Sequence, residues 1–285
     1  MKLESNQIEF AANQIALIDS GEKGVFLETV NTDKQIDAHI FGEKEAAAGV
    51  YFSSAVFGGI RVNISFTHDV DTFNADLAEL VENTLRKSGS SSCSIYLRNS
   101  NRKIIEFLKK KFCVKPYEGS NYYASMEFIM RRESFNKTKV TTLLDVRPYE
   151  EKHIDEYLSL LDSAMTSVSD SPGFMKKKEE NTKKFAKLAE DNSFEAFWKD
   201  GVLIGLYWRK GAEIDMMAVA SNQQRKGYGA IMLTRAIKMV FENTDKDFAY
   251  LYAVDWNEQG QSFYRKYGMK ENGHSYFLYV DNYAK

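Results

Sequence analysis

Ala218-Val219-Ala220-Ser221-Asn222-Gln223-Gln224-Arg225-Lys226-Gly227-Tyr228-Gly229-Ala230 is the stretch on which the reading of this chain turns. An apolar, strand-like run ends, a short polar turn carries two glycines, and a helical pattern follows. In that pattern Ala230, Leu233, Ile237, Val240 and Phe241 share one face, while Arg235, Lys238 and Glu242 lie on another. The first N–H groups of a helix have no partner within it, and the helix dipole adds partial positive charge at that end. The turn therefore reads as an anion cradle. Gly227 and Gly229 let an anion approach without a Cβ in the way, and Arg225 and Lys226 add charge. A bare Gly-x-Gly also makes a tight strand-to-helix turn with no ligand at all. The strand before it belongs to an antiparallel meander, so it is not a dinucleotide-binding fingerprint. No Gly-Lys-Ser/Thr follows, as a nucleoside-triphosphate loop requires.

Working outward, 195–198, 202–209 and 212–220 are short aromatic and aliphatic runs separated by Asp200-Gly201 and Lys210-Gly211, the pattern of a meander with tight turns. Downstream, 248–254 reads as a strand, 257–267 as a helix stopped by Gly268, and 275–280 as a last strand. Upstream, 143–147 reads as a strand and 153–165 as an amphipathic helix. The first half repeats this order. Strands are expected at 25–30, 36–41, 50–53 and 60–66 with a turn at Gly58-Gly59, then a helix at 72–87, a strand at 94–98, a helix at 101–112 and a strand at 122–130. Asn101 precedes Phe107-Leu108 by six and seven residues, and Asn257 precedes Phe263-Tyr264 by the same intervals. The fold expected is α/β (α+β), two tandem units, each a mixed and mostly antiparallel sheet flanked by helices. The polar stretch 131–142 marks the junction, giving domains 1–138 and 139–285.

Composition sets the outer bounds. The 285 residues suit two domains, and 38 Lys+Arg against 40 Asp+Glu leave a net charge of −2. That balance lacks the basic footprint of a nucleic-acid binder. Two cysteines, Cys93 and Cys113, are too few for a zinc ribbon or a disulfide scaffold. His39, His68, His153 and His274 are scattered without metal-ligand spacing, so no metal is expected. No signal peptide or membrane span is read, and the expected location is cytoplasmic. Lys176 to Glu180 and Lys109 to Lys111 read as solvated helix faces, and 167–174 as a loop.

Gln224-Arg225-Lys226-Gly227-Tyr228-Gly229 resembles the Gln/Arg-x-x-Gly-x-Gly/Ala motif of the GCN5-related N-acetyltransferases, and Phe263-Tyr264-Arg265-Lys266-Tyr267-Gly268-Met269 is similar to that family's Phe-Tyr-x-x-x-Gly-Phe. The resemblance covers roughly residues 140–285. It implies acetyl-CoA as co-substrate and an amine acceptor, small molecule or peptide. It further implies that backbone amides from Arg225 to Ala230, with Gln224, Lys226, Gly227, Tyr228 and Gly229 in the loop, hold the pyrophosphate. The Met217 to Val219 edge would pair with the pantetheine arm, with the Val219 N–H polarising the thioester carbonyl. Asn257 would bond the same arm, cap its helix, or both. The attacking amine must lose a proton, and Glu213, eleven residues before Gln224, sits where several members carry a base. Asp215 follows it on the same face by the two-residue period, and solvent-facing edge charges are the alternative for both. Tyr264 stands where the family commonly protonates or hydrogen-bonds the departing thiolate; a core tyrosine is the alternative.

The first half departs from this pattern. Thr67-His68-Asp69-Val70-Asp71 has no glycine and two carboxylates where a pyrophosphate needs donors, and Leu108 stands in the place of Tyr264. A degenerate copy that binds no coenzyme A is expected, with Asp71 or Thr72 capping the helix after the loop. The reading is an acyl-CoA-dependent N-acyltransferase. The alternatives are an acyl-CoA-binding sensor or scaffold without turnover and, less in keeping with the charge, aminoacyl transfer from tRNA.

Overall fold

The computed structural model describes residues 2–42, 48–112, 124–135, 144–166 and 173–281. In chain order these form α1 (Ser5–Ile15), α2 (Ser20–Thr29), β1 (Gln35–Phe41), β2 (Gly49–Val56), β3 (Gly59–Phe66), α3 (Asn74–Ser88), β4 (Cys93–Arg98), α4 (Arg102–Phe112) and β5 (Ala124–Arg131). There follow β6 (Asp145–Arg147), α5 (Ile154–Met165), α6 (Lys178–Glu190), β7 (Phe194–Lys199), β8 (Val202–Lys210), β9 (Glu213–Val219), α7 (Tyr228–Asn243), β10 (Phe248–Val254), α8 (Glu258–Tyr267) and β11 (Lys270–Val280).

The chain divides into two compact units. Unit 1 comprises Met1–Glu127 with Asn272–Lys285, and unit 2 comprises Phe128–Glu271. These compact units differ from the contiguous domains 1–138 and 139–285, because β11 belongs with unit 1 and the second half of β5 with unit 2. Within unit 1 the strand order is β1-β2-β3-β4-β11, with β3 and β4 parallel and the other neighbours antiparallel. Within unit 2 the order is β5-β10-β9-β8-β7-β6; β9 and β10 are parallel, and β6 to β9 are antiparallel neighbours. Along the chain, α1 to β5 and α5 to β11 each run helix, helix, three strands, helix, strand, helix, strand.

That repeat emerges only once one expectation is corrected. Residues 25–30 are not a strand; most of them lie in α2, and α1 precedes it. The apolar triplet Val25-Phe26-Leu27 is too short for its period to distinguish strand from helix. The helix wins because the Asp19 carboxylate accepts the Glu22 N–H at 2.7 Å, capping it, and because Glu22, Phe26 and Thr29 are buried along one face. The hairpin after β2 turns at Phe57-Gly58, both at positive φ (53° and 76°), one residue earlier than the glycine pair suggested. Asp200-Gly201 makes the same kind of turn between β7 and β8 (50° and 78°). Helix α3 begins at Asn74, and neither Asp71 nor Thr72 caps it through a side chain. The loop 167–172 and most of the 131–142 junction lie outside the described residues, as does Cys113.

Core packing positions the site in unit 2. Met232, Leu233, Ala236, Ile237 and Val240 bury one face of α7, as the spacing predicts. A second layer, Tyr157, Leu161 and Phe185 from α5 and α6, packs on Phe194, Leu206 and Trp208. A carboxylate then ties α7 to the sheet: Glu195 of β7 accepts the Tyr207 hydroxyl at 2.5 Å, Arg235 Nη2 at 2.7 Å and Arg235 Nε at 3.0 Å. Burial, then the Glu195 charge, pushes the Tyr207 hydroxyl far above the usual phenol range, so it remains a donor.

Candidate functional site

The turn that leads into α7 is a row of unspent amides. Arg225 and Gly227 both sit at positive φ (62° and 87°), so the backbone winds in alternating senses and turns its N–H groups outward. The first helical turn closes on the Gly227 carbonyl, which accepts from Ala230 N at 3.1 Å and Ile231 N at 3.3 Å. Ala230 is therefore engaged and leaves the expected set of six amides. Among the described residues none accepts a hydrogen bond from the N–H of Arg225, Lys226, Gly227, Tyr228 or Gly229. The loop is stapled to its strand by Gln224, whose Nε2 donates to the Val219 carbonyl at 3.2 Å. Gln224 thus shapes the cradle with its side chain. Lys226 Nζ reaches Gln223 Oε1 at 2.9 Å, and Lys199 Nζ reaches the Tyr228 hydroxyl at 3.3 Å. A Cβ at Gly227 would meet nothing within 4 Å, whereas one at Gly229 would touch Phe263 at 3.5 Å. The first glycine borders open space; at the second an added Cβ would make only ordinary contact with Phe263 of α8.

Strand β9 offers the adjoining edge. The Ala220 N–H donates to Ile204 of the preceding strand at 2.9 Å, and N–H directions alternate along a strand, so those of Val219 and Met217 point away from β8. On that side β9 pairs with β10 at one rung only, Tyr250 with Glu213. Beyond the rung the Met217 to Val219 edge has no ladder partner on β10.

Asn257 heads α8 and caps it, its Oδ1 accepting the Gly260 N–H at 3.0 Å. Its Nδ2 has no acceptor among the described residues, so the cap leaves a donor to spare. Tyr264, two turns on, packs between Phe128 and Phe263 at ring distances of 5.4 and 5.3 Å. Its hydroxyl has no hydrogen-bond partner among the described residues. Burial pushes that hydroxyl up to about 12.

A bulge decides where the β9 carboxylates face. Between the rungs Trp208–Met216 and Lys210–Glu213, Arg209 stands opposite two residues of β9, Ile214 and Asp215. The extra residue shifts Glu213 onto the face of Trp208 and Met216, toward α5 and α6, instead of the face of Met217 and Val219. Asp215 reaches Trp208 Nε1 at 2.6 Å and Lys210 Nζ at 2.9 Å, so its carboxylate is held by protein groups. Asp215, bonded to Trp208 and Lys210, and Glu213, paired with Lys210, lie on one face of the strand. Neither the bulge nor the Glu195–Arg235 pairing has a local sequence signal, since the partners are joined only by the fold.

The corresponding place in unit 1 is filled by protein. β3 and β4 are zipped over four rungs, Arg61–Ser94 to Ile64–Leu97. Asn101, which heads α4 as Asn257 heads α8, is fully buried. It accepts the Phe66 N–H at 3.0 Å and donates to the carbonyls of Phe66 and His68, both at 3.1 Å. Asp69 accepts the Lys103 N–H at 2.9 Å, and Leu108 is sealed in the core. Asn101→Ala would strand the buried Phe66 N–H, with an expected cost of about 2–4 kcal/mol from the lost bonds. Chemical denaturation reads this, and an unchanged midpoint would contradict the clamp.

The histidines do not gather. His39 lies 3.2 Å from Asp37, His153 2.6 Å from Glu156, and His274 2.7 Å from Asn99. Among the described residues no group of three potential ligands could hold a metal ion, and no helix is long and apolar enough to cross a membrane.

A strand running into a turn of unpaired amides at a helix head is an anion-binding arrangement. Residues 158–269, which contain the cradle, the β9 edge, Asn257 and Tyr264, match the acetyltransferase (GNAT) family model; this part of the chain is a GNAT domain. Solved structures resemble the fold over most of the chain. A GCN5-related N-acetyltransferase from Sphaerobacter thermophilus is 10% identical, with a TM-score of 0.52, over 99% of this chain and 95% of that one. A functionally unknown conserved protein from Staphylococcus epidermidis is 13% identical, with a TM-score of 0.54, over 87% and 95%. A Drosophila protein is 12% identical, with a TM-score of 0.55, over 82% and 75%. These are likenesses of fold. No curated protein matches the sequence.

Proposed function

We propose that unit 2 is an acyl-CoA-dependent N-acyltransferase, moving acetyl from acetyl-CoA to a primary amine by direct attack. The observation that carries this reading is the run of five unpartnered amides from Arg225 to Gly229 beside the open Met217 to Val219 edge. The amides, with Arg225 and Lys226, suit a diphosphate. The edge suits an extended amide-bearing arm, and Asn257 Nδ2 can donate to the same arm. Glu213 lies four residues from Met217 and six from Val219, roughly 13 and 20 Å at about 3.3 Å per residue. Met217 N–H is thus the nearer donor for the thioester carbonyl, which leaves Val219 for the arm.

Glu213 takes the ammonium proton through one or two waters, and the neutral amine nitrogen bonds to the carbonyl carbon. The C–S bond breaks, and the sulfur departs as thiolate against the Tyr264 O–H. A hydroxyl at about 12 is a weaker acid than an ordinary thiol near 8.5. Tyr264 therefore stabilises the sulfur by hydrogen bonding. The nitrogen gives up its second proton as the C–S bond breaks. Of the two protons lost by the ammonium, one reaches the sulfur through solvent and the other is released to solvent. The products are the amide and free thiol. Unit 1, with its cleft closed by Asn101, is a degenerate copy that takes no coenzyme A.

The test is thiol release from acetyl-CoA across an amine panel, wild type against Glu213→Gln. Amine-dependent release is expected, falling about 10²-fold in the variant with loss of the base-dependent rise in rate with pH. An unchanged pH profile would remove Glu213 as base. Binding of acetyl-CoA with no release for any amine would make the protein a sensor.

A further inference from the structure

The β2–β3 hairpin of unit 1 ends in an aromatic knob. It turns at Phe57-Gly58, although Gly58-Gly59, one residue on, could take the same positive φ angles without strain. The turn taken puts a bulky residue in the left-handed region and leaves Phe57 84% exposed. Arg61 lies over the ring, 5.6 Å from its centre. Beside the knob, and partly walled by it, is a hole of about 500 Å³ whose apolar lining includes Val25, Val56 and Ile60. A cavity of about 150 Å³ already accepts a benzene-sized ring. The hole is bordered by one exposed acid and one exposed base. Glu28 stands on the α2 wall, and Lys34 on the strand wall, where its carbonyl accepts the Ala55 N–H at 2.8 Å. Neither side chain has an ion-pair partner among the described residues.

One patch thus carries an apolar knob, an apolar hole, an acid and a base. A partner of a single charge would answer one border group, oppose the other and leave the knob in water. A second copy of the patch supplies every complement at once, because a two-fold contact is self-complementary. The geometry points to a homodimer built on this patch. Its axis runs between the α2 wall and the strand wall, so Glu28 of each copy faces Lys34 of the other. The two Phe57 rings enter the joined holes and form a dry aromatic centre, with the charged pairs at the rim. The contact belongs to unit 1 and uses no residue of the unit 2 site, so it stands apart from the acyltransferase reading.

Sedimentation equilibrium of the intact chain over about 1–200 μM reads the association, with thermal melts confirming that each variant is folded. A reversible monomer–dimer equilibrium is expected. Glu28→Lys and Lys34→Glu each set like charges against each other at both rim contacts, and each should weaken the dimer about tenfold or more. Mixing the two variants in equal parts should restore association as a mixed dimer, since each carries the charge the other needs. Phe57→Ser removes the knob at an exposed position and should remain monomeric. A wild type that stays monomeric over this range would overturn the proposal. So would single variants that associate as tightly as the wild type, or a mixture that associates no better than its parts.

Discussion

Tyr264→Phe should lower kcat by about 10²–10³-fold, the usual loss when one preorganised donor to developing charge is removed, with KM for acetyl-CoA nearly unchanged. The hydroxyl is the only atom lost. It has no protein partner among the described residues, so its removal orphans nothing. The ring keeps its contacts with Phe128 and Phe263, so stability should hold within about 0.5 kcal/mol. With the hydroxyl raised to about 12, it stays protonated throughout the working range, and its loss should scale the pH profile of kcat down without shifting it. Steady-state kinetics in both substrates checks this. An unchanged kcat would return Tyr264 to the role of a packed core tyrosine.

The second large effect belongs to the cradle. Gly227 has φ 87° and borders open space, so Gly227→Val forces a β-branched residue into the left-handed region and puts its side chain where the diphosphate should lie. KM for acetyl-CoA should rise about 10²-fold, since the amides no longer converge on one anion. Backbone strain alone costs on the order of 1–3 kcal/mol of stability. Gly201→Val separates the two causes: Gly201 also has positive φ (78°) and open surroundings, but lies in the β7–β8 turn. It should lose similar stability and leave KM unchanged. Equal KM changes in the two variants would mean that strain, not anion contact, explains the result.

How much of this was legible in the sequence depends on how local the cause is. The glycine-bearing turn before α7, the Asn257 cap and the Gly268 stop were readable because each acts within a few residues of itself. The Gly268 αL stop (φ 99°) and the Asn257 cap are properties of a single helix. The amphipathic face of α7 was legible for the same reason. Helix α2 was not, because its cap and its buried face outweigh an apolar triplet that suits either period. The left-handed Arg225 had no signal, as arginine rarely adopts that conformation and only the staple from Gln224 to Val219 accompanies it. The face taken by Glu213 was inaccessible in principle, since one bulged residue reverses the alternation on which the reading relied. That β11, last in sequence, pairs with β4 through six rungs is a long-range choice that no local pattern encodes. The two asparagines teach most: the same residue at the same interval caps a helix with a donor to spare in one unit and clamps a closed strand pair in the other.

Titration of the intact chain with acetyl-CoA by calorimetry is the most direct test of the central claim, run beside Gly227→Val and Asn101→Ala. The account predicts one molecule bound per chain, severe weakening in Gly227→Val, and one site still present in folded Asn101→Ala. No uptake, two sites per chain, or binding indifferent to Gly227→Val would contradict it.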